Sequence, residues 1–447
     1  MGAFEREKLE MTTMERPKDG RLRASIANVL CGNHNLALIM SAAALFLGLG
    51  LSELGLAQMD KVAGRHHTGS LAKVIEPYID SHEIAGAVVL IANRDRVIDR
   101  ETIGYARLAD HRPMKSNDMF WIASMSKAMT AAAVLMLVDE GRISLDDPVE
   151  KYLPEFKGQM VSSAPDADPV SAQVATSGPA QKAPVKLEPL KHPITIREIL
   201  SHTSGLRFSS MREPGALDLL PLKTAVDSYA AEPLQSQPGE KYSYSNEGIN
   251  TAGRIVEVVS GMSFEDFLEQ RLFLPLGMKD TTFWPTDKQL KRLAKSYERV
   301  TGGGNLREVP IDQLTYPLSD RGRRFPIPAG GLFSTADDIA RFCQMMLNDG
   351  TFHGKRYLTE KSVRLITTKE TGEAVATPYG FGWSIGDGYF EHSGAYKTDM
   401  KVDQKRGLIV VFLVQHANDW PQKDRQRLMD SLEQTAITAL SSKLTTR

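Results

Sequence analysis

At 447 residues, with 42% apolar and 24% charged side chains and a formal net charge of −1, the chain has the composition of a globular protein of two or three structural units. Its near-zero charge supplies no general field for nucleic acid or an anionic membrane. There is no long like-charge run and no repeat of solenoid or propeller period.

The first 57 residues read as a targeting segment. Arg16, Lys18, Arg21 and Arg23 precede an apolar run over 36–51, Glu53 ends it, and Gly55-Leu56-Ala57 follows. The run is shorter than the roughly 20 residues of a membrane span and fits a secretory signal. Met11 and Met14 are alternative starts. The expectation is export to the periplasm or beyond, leaving a domain over 58–447, with membrane contact only if the leader is retained as an anchor. Of the two cysteines, Cys31 falls in the leader and Cys343 in the domain. An internal disulfide is then excluded, and Cys343 reads as a small buried apolar residue.

Residues 71–81 predict a helix, and 86–92 and 97–103 a β-hairpin with its turn at 93–96. Residues 126–140 are rich in Ala, Leu and Met, good helix formers, and Gly141 stops them. Residues 158–191 are rich in Pro, Ala, Ser and Gln and hold no aromatics, which predicts a flexible surface insertion. Thr195 and Glu198 form a capping-box pattern. Asn246 is the expected cap of a helix over 247–260, closed by Gly261, and Ser334 or Thr335 caps another. Strands follow at 380–385, 389–392, 398–403 and 408–415, then a final helix over 422–441. The order is strands, helices, strands, helix. That is an α+β chain in which early and late strands (70–120 and 330–441) share a sheet lobe and 125–325 form a helical lobe. A cleft between lobes is the expected place for a site.

Three motifs carry chemistry. Ser124-Met125-Ser126-Lys127 sets a lysine one helical turn after a serine, so the amine can stand beside the hydroxyl. At a helix N-terminus, backbone N–H groups also favour an oxyanion. The spacing alone is weak evidence. A second copy, Ser70-Leu71-Ala72-Lys73, reads as an ordinary first helical turn. Tyr244-Ser245-Asn246 supplies a phenol that a nearby ammonium would render acidic, and an amide that both donates and accepts. A packed tyrosine beside a capping Asn is the plainer explanation of that tripeptide. Glu391-His392-Ser393-Gly394-Ala395 ends a strand with a glycine that permits close backbone approach. The alternative is a surface turn with an incidental histidine.

With these motifs in this order, the chain resembles the serine β-lactamase and penicillin-binding-protein-like hydrolases, particularly their class C β-lactamase and esterase branch. The likeness spans roughly residues 70–440. It includes ITIREILSHTSGL at 194–206, PAGGLFSTADDIARF at 328–342, and 407–415. The resemblance implies an antiparallel sheet flanked by helices plus an all-helical lobe. It implies Ser124 as the acylated nucleophile, Lys127 holding the hydroxyls ready for deprotonation, and Tyr244 as general acid/base. Asn246 would contact the substrate amide or carbonyl, and the N–H groups of Ser124 and Ala395 would form the oxyanion hole. His392 would line the site opposite Tyr244, with Ser393 and Gly394 on the same strand. No cofactor or metal is implied. His202 matches no catalytic position and reads as structural. The third motif is His-Ser-Gly where classical β-lactamases carry Lys-Thr-Gly. A histidine is mostly neutral at pH 7, so the expected substrate is a small ester, amide or D-amino-acid peptide more than a β-lactam. The rivals are an active class C-like β-lactamase and a catalytically silent protein that captures a peptidoglycan peptide or another acyl ligand.

Overall fold

The computed structural model describes residues 69–162, 186–210, 215–300, 304–418 and 420–444. The leader lies outside these residues, as does 163–185 of the predicted insertion. The two ends of that insertion are regular: Met160–Ser162 and Leu187–Pro189 pair as an antiparallel ribbon.

The principal elements are α1 (Ser70–Asp80), β1 (Gly86–Asn93), β2 (Val97–Arg107), β3 (Arg112–Pro113), α2 (Ser126–Asp139), α3 (Asn246–Ser260), α4 (Ala336–Leu347), β4 (Ser384–Ile385), β5 (Tyr389–Ser393), β6 (Asp399–Asp403), β7 (Leu408–Leu413) and α5 (Gln422–Leu444). The strands form one seven-stranded sheet in the order β4-β5-β6-β7-β1-β2-β3. All pairings are antiparallel, and early and late strands meet where Val88 faces Leu413. The hairpin turn is closed by Asn93, whose Oδ1 accepts from the N–H groups of Asp95 and Arg96.

β1 is apolar from Gly86 to Ala92 because both faces are covered. Val88, Leu90 and Ala92 join the core containing α2 and α4. Ala87, Val89 and Ile91 pack with Leu71 and Ile75 of α1 and Leu428, Leu432 and Ala436 of α5. The spacing of those α5 residues is a single helical stripe. α2 is different: every residue from Ser126 to Leu137 is buried. A helix buried on all sides is a core helix, and α2 carries Lys127, with Ser124 in the turn just before it. Between α2 and α4, the described part of 140–335 holds several shorter helices and a second ribbon, Ser296–Arg299 with Leu306–Val309, and a further short helix, Glu360–Ile366, follows α4.

Two local expectations are corrected. Ser245, not Asn246, caps α3: its hydroxyl accepts from the Gly248 N–H at 2.9 Å. A serine cap leaves the Asn246 amide free to turn elsewhere. In the predicted strand 380–385 only Ser384 and Ile385 pair. Gly382 has φ +71°, and a Cβ there would stand 2.5 Å from the Lys127 carbonyl oxygen. The chain is pressed onto α2 at that point and cannot continue as a strand.

Candidate active site

Ser124 sits in a single helical turn, Ala123–Met125, between the short strand Phe120–Trp121 and α2. Ala123 holds φ +44°, an unusual conformation for a residue with a side chain. Ser126 braces the bend: its hydroxyl donates to the Ala123 carbonyl at 2.7 Å and accepts from the Leu332 N–H at 3.2 Å. Ser124 is thereby half-exposed at the cleft while its neighbours on both sides are buried.

Lys127 follows one turn later and is fully buried. Its Nζ donates to Ser124 Oγ at 3.1 Å, Asn246 Oδ1 at 2.8 Å and the Ala329 carbonyl at 2.7 Å. These use all three ammonium donors, yet no carboxylate is among the acceptors. Burial therefore pushes the Lys127 pKa well below the usual lysine range. The Tyr244 ring lies beside it, 4.7 Å from Nζ to the ring centroid. Burial raises the Tyr244 phenol above its ordinary value, and the Ser124 hydroxyl opposes that only in part. The expected ammonium-stabilised phenolate is thus corrected: the resting phenol is neutral, because burial raises it by more than the Ser124 hydroxyl lowers it.

Three polar groups complete this floor that sequence reasoning missed. Asn250, one turn beyond Asn246, accepts from the Ala329 N–H at 3.0 Å. Thr130, on α2, donates to the Pro328 carbonyl at 2.8 Å. Trp121 Nε1 donates to the Gly330 carbonyl at 2.8 Å. Together they pin 328–330 so that the Ala329 carbonyl meets Lys127. The signal was available in two asparagines at i and i+4, which share a helix face.

The His-Ser-Gly strand also reaches the site. A Cβ on Gly394 would stand 2.6 Å from the Ile122 carbonyl oxygen and 2.2 Å from Thr398 Oγ1, so only glycine lets β5 end against the serine turn. Ser393 and Ala395 are exposed on either side, and Ala395 lines the same cavity as Ser124. His392 is buried beside Tyr244, ring centroids 6.3 Å apart. Its Nδ1 lies 2.9 Å from the Ser393 carbonyl and its Nε2 3.1 Å from the Tyr379 hydroxyl. A carbonyl can only accept, which puts the proton on Nδ1 and makes Nε2 the acceptor. Burial and the Lys127 charge push this imidazole down to about 3, so it is neutral at pH 7. His202, read as structural, proves to touch the site: its ring centroid is 4.4 Å from that of Tyr244.

The cavity in front of Ser124 has a volume of about 650 Å³ and is walled by Trp121, Phe208, Leu217, Gln313 and Asn246. The site thus combines a serine hydroxyl, a buried amine whose pKa is lowered, a phenol and a mostly apolar wall. That set is suited to attack on an acyl carbon.

Comparison with known proteins agrees with this chemistry. Residues 71–434 match the family described as Beta-lactamase, and the chain belongs to that family of serine hydrolases. Protein Rv1367c of Mycobacterium tuberculosis is 31% identical over 378 residues, covering 77% of this chain and 89% of that protein. Penicillin-binding protein 4 of Amycolatopsis lactamdurans is 29% identical, covering 80% of this chain and 83% of that protein. Esterase EstB of Burkholderia gladioli is 25% identical, covering 81% and 94%. Among solved structures, unliganded simvastatin synthase (LovD) from Aspergillus terreus superimposes with a TM-score of 0.66 at 19% identity, over 83% of this chain and 98% of that one. It shares the α+β fold.

Proposed function

We propose that this protein hydrolyses an ester, amide or D-amino-acid peptide through an acyl-enzyme on Ser124. Lys127 carries the reading. A buried lysine with only neutral acceptors, 3.1 Å from a serine hydroxyl, is held ready to take a proton at neutral pH. In the proposed cycle the Ser124 proton passes to the Lys127 amine as Oγ attacks the acyl carbon. The N–H groups of Ser124 and Ala395 receive the oxyanion. Tyr244 donates its proton to the leaving alcohol or amine and is restored from the Lys127 ammonium. Water, deprotonated by the same pair, then releases the acid and regenerates the serine. Asn246 fixes the lysine and stands in the cavity wall, where it contacts the acyl side chain.

The substrate class follows from the wall and from the third motif. Trp121, Phe208 and Leu217 favour an apolar acyl group, and a neutral His392 offers no cation to a β-lactam carboxylate. The esterase, amidase and penicillin-binding names among the relatives support the same range. Initial rates on a short-chain p-nitrophenyl ester and a chromogenic cephalosporin test the proposal, with wild type and Ser124→Ala side by side. Ester turnover by wild type alone is expected. Equal turnover by Ser124→Ala refutes the acyl-enzyme, and a preference for the cephalosporin makes the protein a working β-lactamase. Labelling of Ser124 by a fluorophosphonate separates the enzyme from a silent binding protein. Residues 1–57 are proposed to direct export; N-terminal sequencing of exported protein should begin at or near Gln58.

A further inference from the structure

We propose that His202 is a positioning residue that holds Tyr244 against Ser124, an inference that rests on Tyr244 acting at the site as described above. His202 follows the short helix Ile196–Leu200 and its cap Ser201. It adopts φ +60°, and the next N–H, of Thr203, returns to the Glu198 carbonyl at 2.9 Å. A left-handed residue at this place is a common helix ending, so the backbone conformation needs nothing from an imidazole.

The imidazole does something separate. Its Nδ1 accepts from the Ser245 N–H at 3.1 Å, while the His202 carbonyl accepts from the Ser243 N–H at 2.8 Å. The two peptide N–H groups that bracket Tyr244 are thus both held by one residue. The ring adds a third hold: its centroid lies 4.4 Å from Tyr244 and 4.8 Å from Tyr379. Since a peptide N–H can only donate, Nδ1 must be unprotonated and the ring proton sits on Nε2. That Nε2 is buried with no hydrogen-bond partner, enclosed by the rings of Tyr242, Tyr244 and Tyr379. A buried donor without a partner is destabilising, and an apolar residue of similar size would avoid it. What histidine supplies in return is an acceptor for the Ser245 N–H. The first N–H groups of a helix have no partner of their own, and Ser245 is buried at the cap of α3. The acceptor therefore sets where α3 begins, and with it where the phenol of Tyr244 and the amide of Asn246 stand relative to Ser124 and Lys127. A displacement of about 1 Å at a reacting group is enough to cost on the order of a hundredfold in rate.

Three variants of the full chain test this. His202→Asn places an amide oxygen where Nδ1 was and tolerates the left-handed backbone. His202→Leu keeps the bulk and removes the acceptor. His202→Gln keeps an amide but carries it one bond too far. The readouts are kcat and KM on p-nitrophenyl butyrate, the rate of Ser124 labelling by a fluorophosphonate, and the melting temperature. His202→Leu is expected to lower kcat and labelling rate by about a hundredfold with KM nearly unchanged. His202→Asn is expected to recover most of that loss. If the leucine variant does not fold, the asparagine and glutamine variants decide, the second being the slow one. Wild-type kcat in His202→Leu overturns the proposal, and so does an asparagine variant as slow as leucine or glutamine. Ser124→Ala run in parallel keeps the two readings apart. Turnover surviving in Ser124→Ala defeats the acyl-enzyme and this inference with it. A dead Ser124→Ala beside a fully active His202→Leu defeats the positioning role alone.

Discussion

Lys127 and Arg324 are buried to the same degree, 0% and 2% exposed, yet their surroundings give them opposite properties. Arg324 faces a carboxylate. Its Nε donates to Asp218, its Nη1 to the carbonyls of Phe283 and Leu318, and the Asp218 carboxylate also accepts from the Thr315 N–H at 2.8 Å. Burial lowers the guanidinium and Asp218 opposes that in part, and a guanidinium is basic enough to stay charged. Its work is mechanical: it ties 215–220 to 311–325, the two loops that bring Leu217 and Gln313 to the cavity wall. Lys127 faces only a hydroxyl, an amide oxygen and a carbonyl. Nothing there opposes desolvation, so its pKa falls well below the usual lysine range, which suits the amine to accept the Ser124 proton in the proposed cycle. What a buried cation does is decided by whether a carboxylate shares its site.

The sharpest way to break that contrast is to remove each cation. Lys127→Met should lower turnover by about 10²–10⁴-fold, the usual range for a lost proton-transfer group. Its melting temperature should stay close to wild type, because relief of the buried amine offsets the three acceptors it leaves unpaired. Substantial ester hydrolysis by that variant means the amine is not the proton acceptor. Arg324→Met should behave in reverse, losing about 3–5 kcal/mol of stability in urea titrations because Asp218 is left buried and unpaired. Its kcat per folded molecule should be little changed. The double variant Asp218→Leu/Arg324→Met should regain most of that stability; failure to regain it would assign Arg324 a role beyond charge pairing.

The contrast extends to imidazoles. His416 is buried without a carboxylate partner and is pushed down to about 4. In the unfolded chain it takes a proton below about pH 6.5, whereas the native side chain remains neutral until about 4. Between those values the unfolded state binds more protons, so the contribution of His416 to stability falls as pH falls. By pH 4 the loss is on the order of 3 kcal/mol. Urea midpoints at pH 7.5 and 4.5 should therefore converge in His416→Gln relative to wild type; identical pH dependence would show that the imidazole is not desolvated. The smallest effect is expected at the wall. Leu217→Ala should raise KM for a butyrate ester a few-fold, about 1 kcal/mol of lost apolar contact, and leave kcat alone. A loss in kcat instead would mean that the loop shapes the reacting groups as well as the wall.

Much of the site was readable before any coordinates. Serine and lysine one helical turn apart belong on one face of any helix, and a strand with an apolar run such as Gly86–Ala92 needs both faces covered, as β1 does. The near-neighbour glycine in His-Ser-Gly announces a close approach without naming its partner. The remainder depended on segments far apart in the chain. That Ser245 caps α3 and frees Asn246 for Lys127 is set by a contest between adjacent side chains for one N–H group. That Ala329 supplies the third acceptor, that Tyr244 stays neutral, and that His202 and His392 lie around it as neutral rings all follow from burial. Sequence by itself determined which reactive groups the chain possesses and which of them are local neighbours, because backbone periodicity alone sets those distances. Only the tertiary structure decided their protonation, since a pKa depends on what water is excluded and which charges stand nearby. Those are properties of the packed cleft between α2, α3 and β5, and no single stretch of chain contains them.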